Sequence, residues 1–192
     1  GFEIGVLAGK VKPGDSVVVV GAGPVGMAAL LTAQFYSPAT LIVVDGDNNR
    51  LDVAKRFGAT HVIDIKTENA VERILELTDG VGVDVAIEAV GIPASFDTCQ
   101  SVIAPGGTIA NVGVHGKSVE LHLEKLWIQN VNISTGLVNT NTTPMLLKTL
   151  QSGKIDAGQL ITHRFALNDI LKAYEVFGNA AQEKAMKVIL TQ

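Results

Sequence analysis

Short runs of aliphatic residues recur along the chain, separated by segments whose apolar positions fall three or four apart. The runs read as buried strands and the spaced segments as amphipathic helices. Val17–Val20 is the first strand, and Pro24–Phe35 reads as the helix after it. Leu41–Val44 is a second strand, Leu51–Phe57 a helix closed by Gly58, and His61–Ile65 a third strand. Glu68–Leu77 carries Val71, Ile74, Leu75 and Leu77 at helical spacing. A fourth strand, Val83–Ala89, precedes a helix starting near Pro93, and the turn Pro105-Gly106-Gly107 leads into a fifth strand, Thr108–Val112. The segment Leu121–Trp127 and a sixth strand, Val131–Ser134, complete the set. Strand–helix alternation with right-handed crossovers builds an α/β doubly wound parallel sheet of about six strands. The remainder breaks the rhythm: Thr143–Leu150 and Leu167–Phe177 read as helices and Met186–Leu190 as a strand-like ending. Residues 1–139 are therefore expected to form one domain, and 140–192 a helical C-terminal tail.

Composition supports this layering. Hydrophobic residues make up 47% of the 192 positions and charged residues 18%. The excess is aliphatic, as in a parallel sheet covered on both faces. No charge occurs between Ser16 and Val44. Gly21, Gly23, Pro24 and Gly26 interrupt that stretch, however, and Gln34, Tyr36, Ser37 and Pro38 end it, so strand, turn and buried helix explain it better than a membrane span. The net charge of −4 is dispersed, without the basic stripe that nucleic acid requires. No membrane or nucleic-acid partner is expected. The single cysteine, Cys99, excludes an internal disulfide and any multi-cysteine zinc site in these residues. A reducing, cytoplasmic setting fits that usage. The start at Gly1, without a methionine or a basic leader, suggests a fragment or processed product.

The chemistry concentrates where the first strand ends. Val17-Val18-Val19-Val20 runs into Gly21-Ala22-Gly23-Pro24-Val25-Gly26, a G-x-G-x-x-G between a strand and a helix. Gly21 permits the tight turn, Gly23 lets a pyrophosphate approach the backbone, and Gly26 lets the helix pack against the strand. The free N–H groups of the helix start then face the phosphates. Asp45, 19 residues after Gly26, ends the second strand, where a dinucleotide fold places a carboxylate on the adenosine ribose hydroxyls. A 2′-phosphate would meet that carboxylate's charge, so the expected cofactor is NAD rather than NADP. Arg50 reaches toward the same ribose edge and softens the discrimination. Asp45 also reads as an N-cap of the next helix, a role that Asp47, Asn48 and Asn49 fill equally well.

Two further strand exits, Glu88-Ala89-Val90-Gly91 and Asn111-Val112-Gly113-Val114, complete the rim of a cleft at the carboxyl ends of the strands. Ala89, Val90, Gly91, Val112, Gly113 and Val114 are thereby placed to touch ribose and nicotinamide. The four histidines, His61, His115, His122 and His163, lack metal-ligand spacing apart from the loose pair His115 and His122, and read as surface or satisfied structural residues. No hydrolytic elbow or carboxylate pair is present. No catalytic residue and no metal ligand is assigned.

The ordered series Gly9-Lys10-Val11-Lys12-Pro13-Gly14-Asp15, Val18–Gly26, Phe57-Gly58-Ala59-Thr60, Val83–Gly91, Pro105-Gly106-Gly107-Thr108 and Lys187-Val188-Ile189-Leu190-Thr191 resembles the cofactor-binding half of zinc-dependent, medium-chain alcohol dehydrogenases, over effectively the whole chain. The resemblance implies a Rossmann sheet, NAD, and a parent enzyme whose catalytic zinc is held in an N-terminal domain that these residues do not include. It implies that the tail returns to that catalytic domain. It also implies roles for single residues. Asp45 and Arg50 match the adenosine-ribose pair, Val112 and Val114 the nicotinamide lining, and Leu137 and Asn139 the backbone positions that hold the carboxamide. Lys187 falls where relatives often carry an arginine on the pyrophosphate, keeping the charge but not the bidentate fork. Family dimers join through the sheet edge near the sixth strand, making Trp127–Ser134 a candidate homo-oligomer interface.

The expected parent activity is hydride transfer between an alcohol, aldehyde or ketone and NAD, the fragment alone being inactive. Sorbitol, threonine, secondary-alcohol and formaldehyde dehydrogenases remain open as substrate classes. A non-catalytic nucleotide-binding or assembly module, a zinc-free quinone reductase-type relative and, by fold analogy, a methyltransferase are the alternatives.

Overall fold

The computed structural model describes residues 1–192, which divide into two compact units, Gly1–Thr140 and Asn141–Gln192. In the first unit six parallel strands alternate with helices: β1 Ser16–Val20, β2 Thr40–Asp45, β3 His61–Asp64, β4 Val83–Glu88, β5 Ile103–Asn111 and β6 Asn132–Thr135. Their order across the sheet is β3-β2-β1-β4-β5-β6, so the chain reverses direction at β1. The crossovers are α1 Pro24–Ala33, α2 Asn48–Arg56, α3 Ala70–Leu77, α4 Pro93–Val102 and the single turn α5 Leu123–Leu126. The expected doubly wound sheet is the one observed.

Side-chain alternation on the strands distributes the core. Val18, Val20, Ile42, Val44, Ala86 and Ile109 join Ile74 of α3 and Phe96, Cys99 and Val102 of α4 in one buried cluster. The opposite face carries Val19, against which α1 packs at Gly26, and Ile87, which with Ala29 of α1 surrounds Gly5 of the N-terminal segment. Each fully covered Val or Ile contributes about 1.5–3 kcal/mol. At the head of β1, Asp84 Oδ2 accepts from Ser16 N (2.8 Å) and Ser16 Oγ (2.7 Å), clipping β4 to β1 across 68 residues.

Several boundaries differ from the sequence expectation for local reasons. Helix α1 stops at Ala33 and tightens into a 3₁₀ turn, Gln34–Tyr36, ending at Ser37 in the left-handed region. Helix α2 begins three residues before Leu51 because Asp47 caps it, accepting from the amides of Asn49 (2.9 Å) and Arg50 (3.4 Å). Likewise Asn69 caps α3. Strand β5 begins at Ile103, and Pro105-Gly106-Gly107 is absorbed as an irregularity in its pairing with β4 rather than a turn before it. Phe2–Leu7, unassigned from the pattern, is a wide helical segment whose amides bond five residues back, as in Val6 N to Gly1 O and Ala8 N to Glu3 O.

The second unit contains α6 Thr143–Gln151, α7 Ile170–Gly178 and the short α8 Ala180–Glu183, but it is not only helical. Strand β7, Ile161–Ala166, pairs in parallel with β8, Lys187–Thr191. No helix of the structure is long and apolar enough to cross a membrane.

Candidate cofactor site

Because all six strands run parallel, their carboxyl ends share one edge of the sheet, and the chain exits there six times within the first unit. The first exit is the glycine turn. Gly21 lies at φ +103°, in the left-handed region, and donates to Val44 O at 2.8 Å. A Cβ on Gly21 would strike the Val90 side chain, and one on Gly26 would overlap the Gly21 carbonyl. Both positions are closed to side chains. A Cβ on Gly23 would meet nothing within 4 Å, so the backbone there fronts open space. Gly23 is the N-cap of α1 and Pro24 its first residue, which leaves the first-turn amides unpaired within the helix. Val25 is exposed beside them.

Asp45, the last residue of β2, organises the next exit. Its Oδ2 accepts from Ala22 N at 2.7 Å and its Oδ1 from Asp47 N at 2.9 Å, so the carboxylate is tied to the glycine turn on one side and to its own loop on the other. It is not the helix cap, a role Asp47 fills. Each oxygen keeps accepting capacity beyond these bonds. Arg50 Nη1 stands 3.9 Å from Asp45 Oδ2, and its Nε stands 3.9 Å from Asp47 Oδ2. The guanidinium is thus shared between two carboxylates. A cleft of about 390 Å³ opens over this region, walled by Gly21, Asp45, Ile65, Val71, Ile92 and Thr98. Its lining is largely apolar, as suits a flat heterocycle.

The exits of β4 and β5 are joined by a network that sequence reasoning missed. Glu88 is completely buried, yet three donors converge on its Oε1: Val90 N (2.9 Å), Gly91 N (2.8 Å) and Ser95 Oγ (2.5 Å). The other oxygen, Oε2, has no hydrogen bond. His115 Nε2 lies 3.3 Å from Oε2 but 2.8 Å from Asn111 Oδ1, and Asn111 Nδ2 donates to Gly113 O at 3.0 Å. The His115 ring stands edge-on to Phe96. A Cβ on Gly113 would overlap both Glu88 Oε2 and the Gly91 amide, so this glycine is dictated by the carboxylate behind it. The buried Cys99 thiol is pushed well above the usual range, first by burial and then by the nearby Glu88 charge.

Ala89 donates through its amide to Val20 O (2.9 Å), and Val112 to Glu88 O (2.8 Å), so both exits are fixed to the sheet. Val90 is partly exposed at the cleft wall, and Val114 presents its side chain to solvent. Leu137 and Asn139 follow β6. Leu137 is exposed, and Asn139 N donates to Glu3 Oε2 at 3.0 Å. Lys187 opens β8 in the second unit.

His122 is bracketed by Asp97 (3.3 Å) and Glu124 (3.1 Å) at the surface. The Glu124 carboxyl is held below its ordinary range, chiefly by a backbone hydrogen bond and further by His122. No group of three or more His, Cys, Asp or Glu side chains is placed to hold a metal ion. The open backbone at Gly23 and the partly open Asp45 carboxylate stand together at the carboxyl edge of the sheet.

Comparison with known proteins identifies the family. Residues 24–152 match the family model described as zinc-binding dehydrogenase. This chain belongs to the zinc-binding dehydrogenase family. It is 34% identical over 183 residues to an alcohol dehydrogenase of Cupriavidus necator, covering 93% of this chain and 50% of that protein. Among solved structures it resembles zinc-dependent alcohol dehydrogenase 2 from Streptococcus pneumonia in its apo form, with 62% identity, a TM-score of 0.96, and coverage of 100% of this chain and 55% of that one. A structure described as a short chain alcohol dehydrogenase from E. coli CFT073, complexed with NADH, is 26% identical with a TM-score of 0.90, over 97% of this chain and 55% of its own. The chain spans about half the length of the curated relatives it matches.

Proposed function

We propose that this chain is the cofactor-holding half of an oxidoreductase that moves hydride between an alcohol, or the corresponding aldehyde or ketone, and NAD. The observation that carries the reading is the coupling of Asp45 to the glycine turn: one carboxylate oxygen accepts from Ala22 N while the accepting face stays partly open. The unpaired amides at the start of α1, above the open space at Gly23, suit a pyrophosphate. Asp45 accepts from the adenosine ribose hydroxyls, and the apolar wall of Ile65, Val71 and Ile92 takes the adenine. Ala89, Val90 and Gly91 meet the second ribose. Val112, Gly113 and Val114 form the floor of the nicotinamide, and the backbone at Leu137 and Asn139 holds its carboxamide.

The nicotinamide supplies the hydride chemistry, and this chain supplies orientation and an excluded face. Asp45 favours NAD over NADP, because a 2′-phosphate would stand against its charge. Arg50, already shared between Asp45 and Asp47, offers that phosphate little. No step is assigned to a metal held by these residues. In the parent enzyme the polarising zinc and the substrate pocket would belong to the other half, with the exposed apolar residues of the second unit, Leu147, Leu171, Tyr174 and Phe177, covered there. The exposed Trp127 and Ile128 beside the edge strand β6, and Ile133 on it, support self-association through that edge. A cytoplasmic setting is part of the same reading.

Titration of NAD and NADP into the purified chain tests the central claim. NAD should bind more tightly, and Asp45→Ser should close most of the gap. Equal affinities in the unmutated chain would overturn the preference for NAD.

A further inference from the structure

Glu88 is a completely buried carboxylate with no lysine or arginine beside it. Burying an ion is costly unless its charge is balanced. Three donors saturate Oε1, but nothing donates to Oε2. The only basic group in reach is His115. The network assigns its Nε2 the proton, since Asn111 Nδ2 is engaged with Gly113 O and Asn111 Oδ1 must accept. The Nε2 proton is directed at Asn111 Oδ1, 2.8 Å away, and Nδ1 is buried without a partner. With the Nε2 proton turned to Asn111, no hydrogen bond reaches Oε2, and that side of the buried carboxylate is left unpaired. Oε2 lies directly behind Gly113 of the β5 exit, where an added Cβ would overlap it.

Resting on the proposed function, in which Val112-Gly113-Val114 floors the nicotinamide, we infer that Glu88 is a fixed counter-charge for the oxidised ring. The nicotinamide ring is cationic in NAD⁺ and neutral in NADH, so a buried anion behind Gly113 stabilises one bound form more than the other. A carboxylate used only to tie down the Val90 and Gly91 amides would hold both redox forms equally. The low-polarity surroundings, with Phe96, Cys99 and Ile109 in the adjoining core, keep the field from being screened. Glu88 touches neither ring nor substrate. It is a positioning residue whose charge sets the balance between the two forms of the cofactor.

The test is a fluorescence titration of the 192-residue chain with NADH, followed by competition with NAD⁺ and with ADP-ribose, which lacks the nicotinamide. Glu88→Gln should weaken NAD⁺ relative to NADH by roughly three- to tenfold and leave ADP-ribose unchanged. His115→Lys, which keeps the Glu88 hydrogen bonds but sets an ammonium beside Oε2, should shift the ratio in the same direction. It decides the matter if Glu88→Gln fails to fold by circular dichroism. His115→Gln, which is neutral, should leave the ratio where it was. Folded Glu88→Gln or His115→Lys with the parental NAD⁺ to NADH ratio overturns the inference while leaving the cofactor reading intact. An unmutated chain that binds none of the three nucleotides overturns the cofactor reading and this inference with it.

Discussion

Two carboxylates end neighbouring stretches of the same sheet edge and are used in opposite ways. Asp45, at the end of β2, is partly open, and its oxygens each accept one loop amide. Glu88, at the end of β4, is sealed, with three donors crowded on one oxygen and none on the other. The first lines the cleft, and under the proposed function its remaining acceptor sites exchange partners with a ligand. The second cannot reach a ligand and acts only through its bonds and its field. The same functional group thus becomes a recognition element or a structural charge according to where its hydrogen-bonding capacity is spent.

The sharpest way to break the contrast is to truncate both. Glu88→Ala strands two backbone amides and a serine hydroxyl in or near the core, and a loss of about 3 kcal/mol or more is expected in urea unfolding. Asp45→Ala frees one amide of the turn and one of the adjoining loop, both closer to solvent, and should cost the fold clearly less. Its larger effect is on NAD, where losing charge-assisted bonds worth about 1.5–3 kcal/mol corresponds to a roughly 10- to 100-fold higher Kd by calorimetry.

Cys99 then reports on the sealed side. Its thiol is raised by burial, so the folded chain keeps the proton that the unfolded chain releases above about pH 8.5. Stability from this group is fully present below that pH and is lost as pH rises beyond it, by about 1.4 kcal/mol per unit. Comparing unfolding of the parent and Cys99→Ala from pH 8 to 10 should show the slope in the parent only. The thiol should also resist alkylation until denaturant is added. The smallest effect is expected on the open side. Arg50→Ala removes contacts of 3.9 Å that are partly screened, and should change unfolding stability by about 1 kcal/mol or less.

The glycine turn, Asp45 and the six strands were legible because each rests on a local pattern: an aliphatic run, a spacing of glycines, a carboxylate at a strand end. The Glu88 network was not, because Ser95, Asn111 and His115 stand on three different elements and meet only through the fold. One signal was available. Glu88 is the only charge in Val85–Gly91, and a glycine follows at position 113 where the neighbouring exit must pass it. His115 reads as a satisfied structural residue from the sequence, and the structure gives its Nε2 partners but leaves Nδ1 without one. Strand β7 escaped notice because its inward positions, Ile161, His163 and Phe165, include a histidine that stacks on Phe165, so the alternation is chemically blurred.

The clip between Ser16 and Asp84 has a consequence for how the chain acquires its shape during synthesis. Strand β1 ends at Val20 and its β2 neighbour follows soon after in the chain, but its other flank waits for β4, more than sixty residues later. Until then Val17–Val20 offers one bare edge of backbone amides and carbonyls, the kind of template on which stray strands add. Pairing so distant in sequence is slow to find. The nascent chain passes through a window in which its most apolar strand is half dressed, and the Asp84 carboxylate arrives with the strand that closes it.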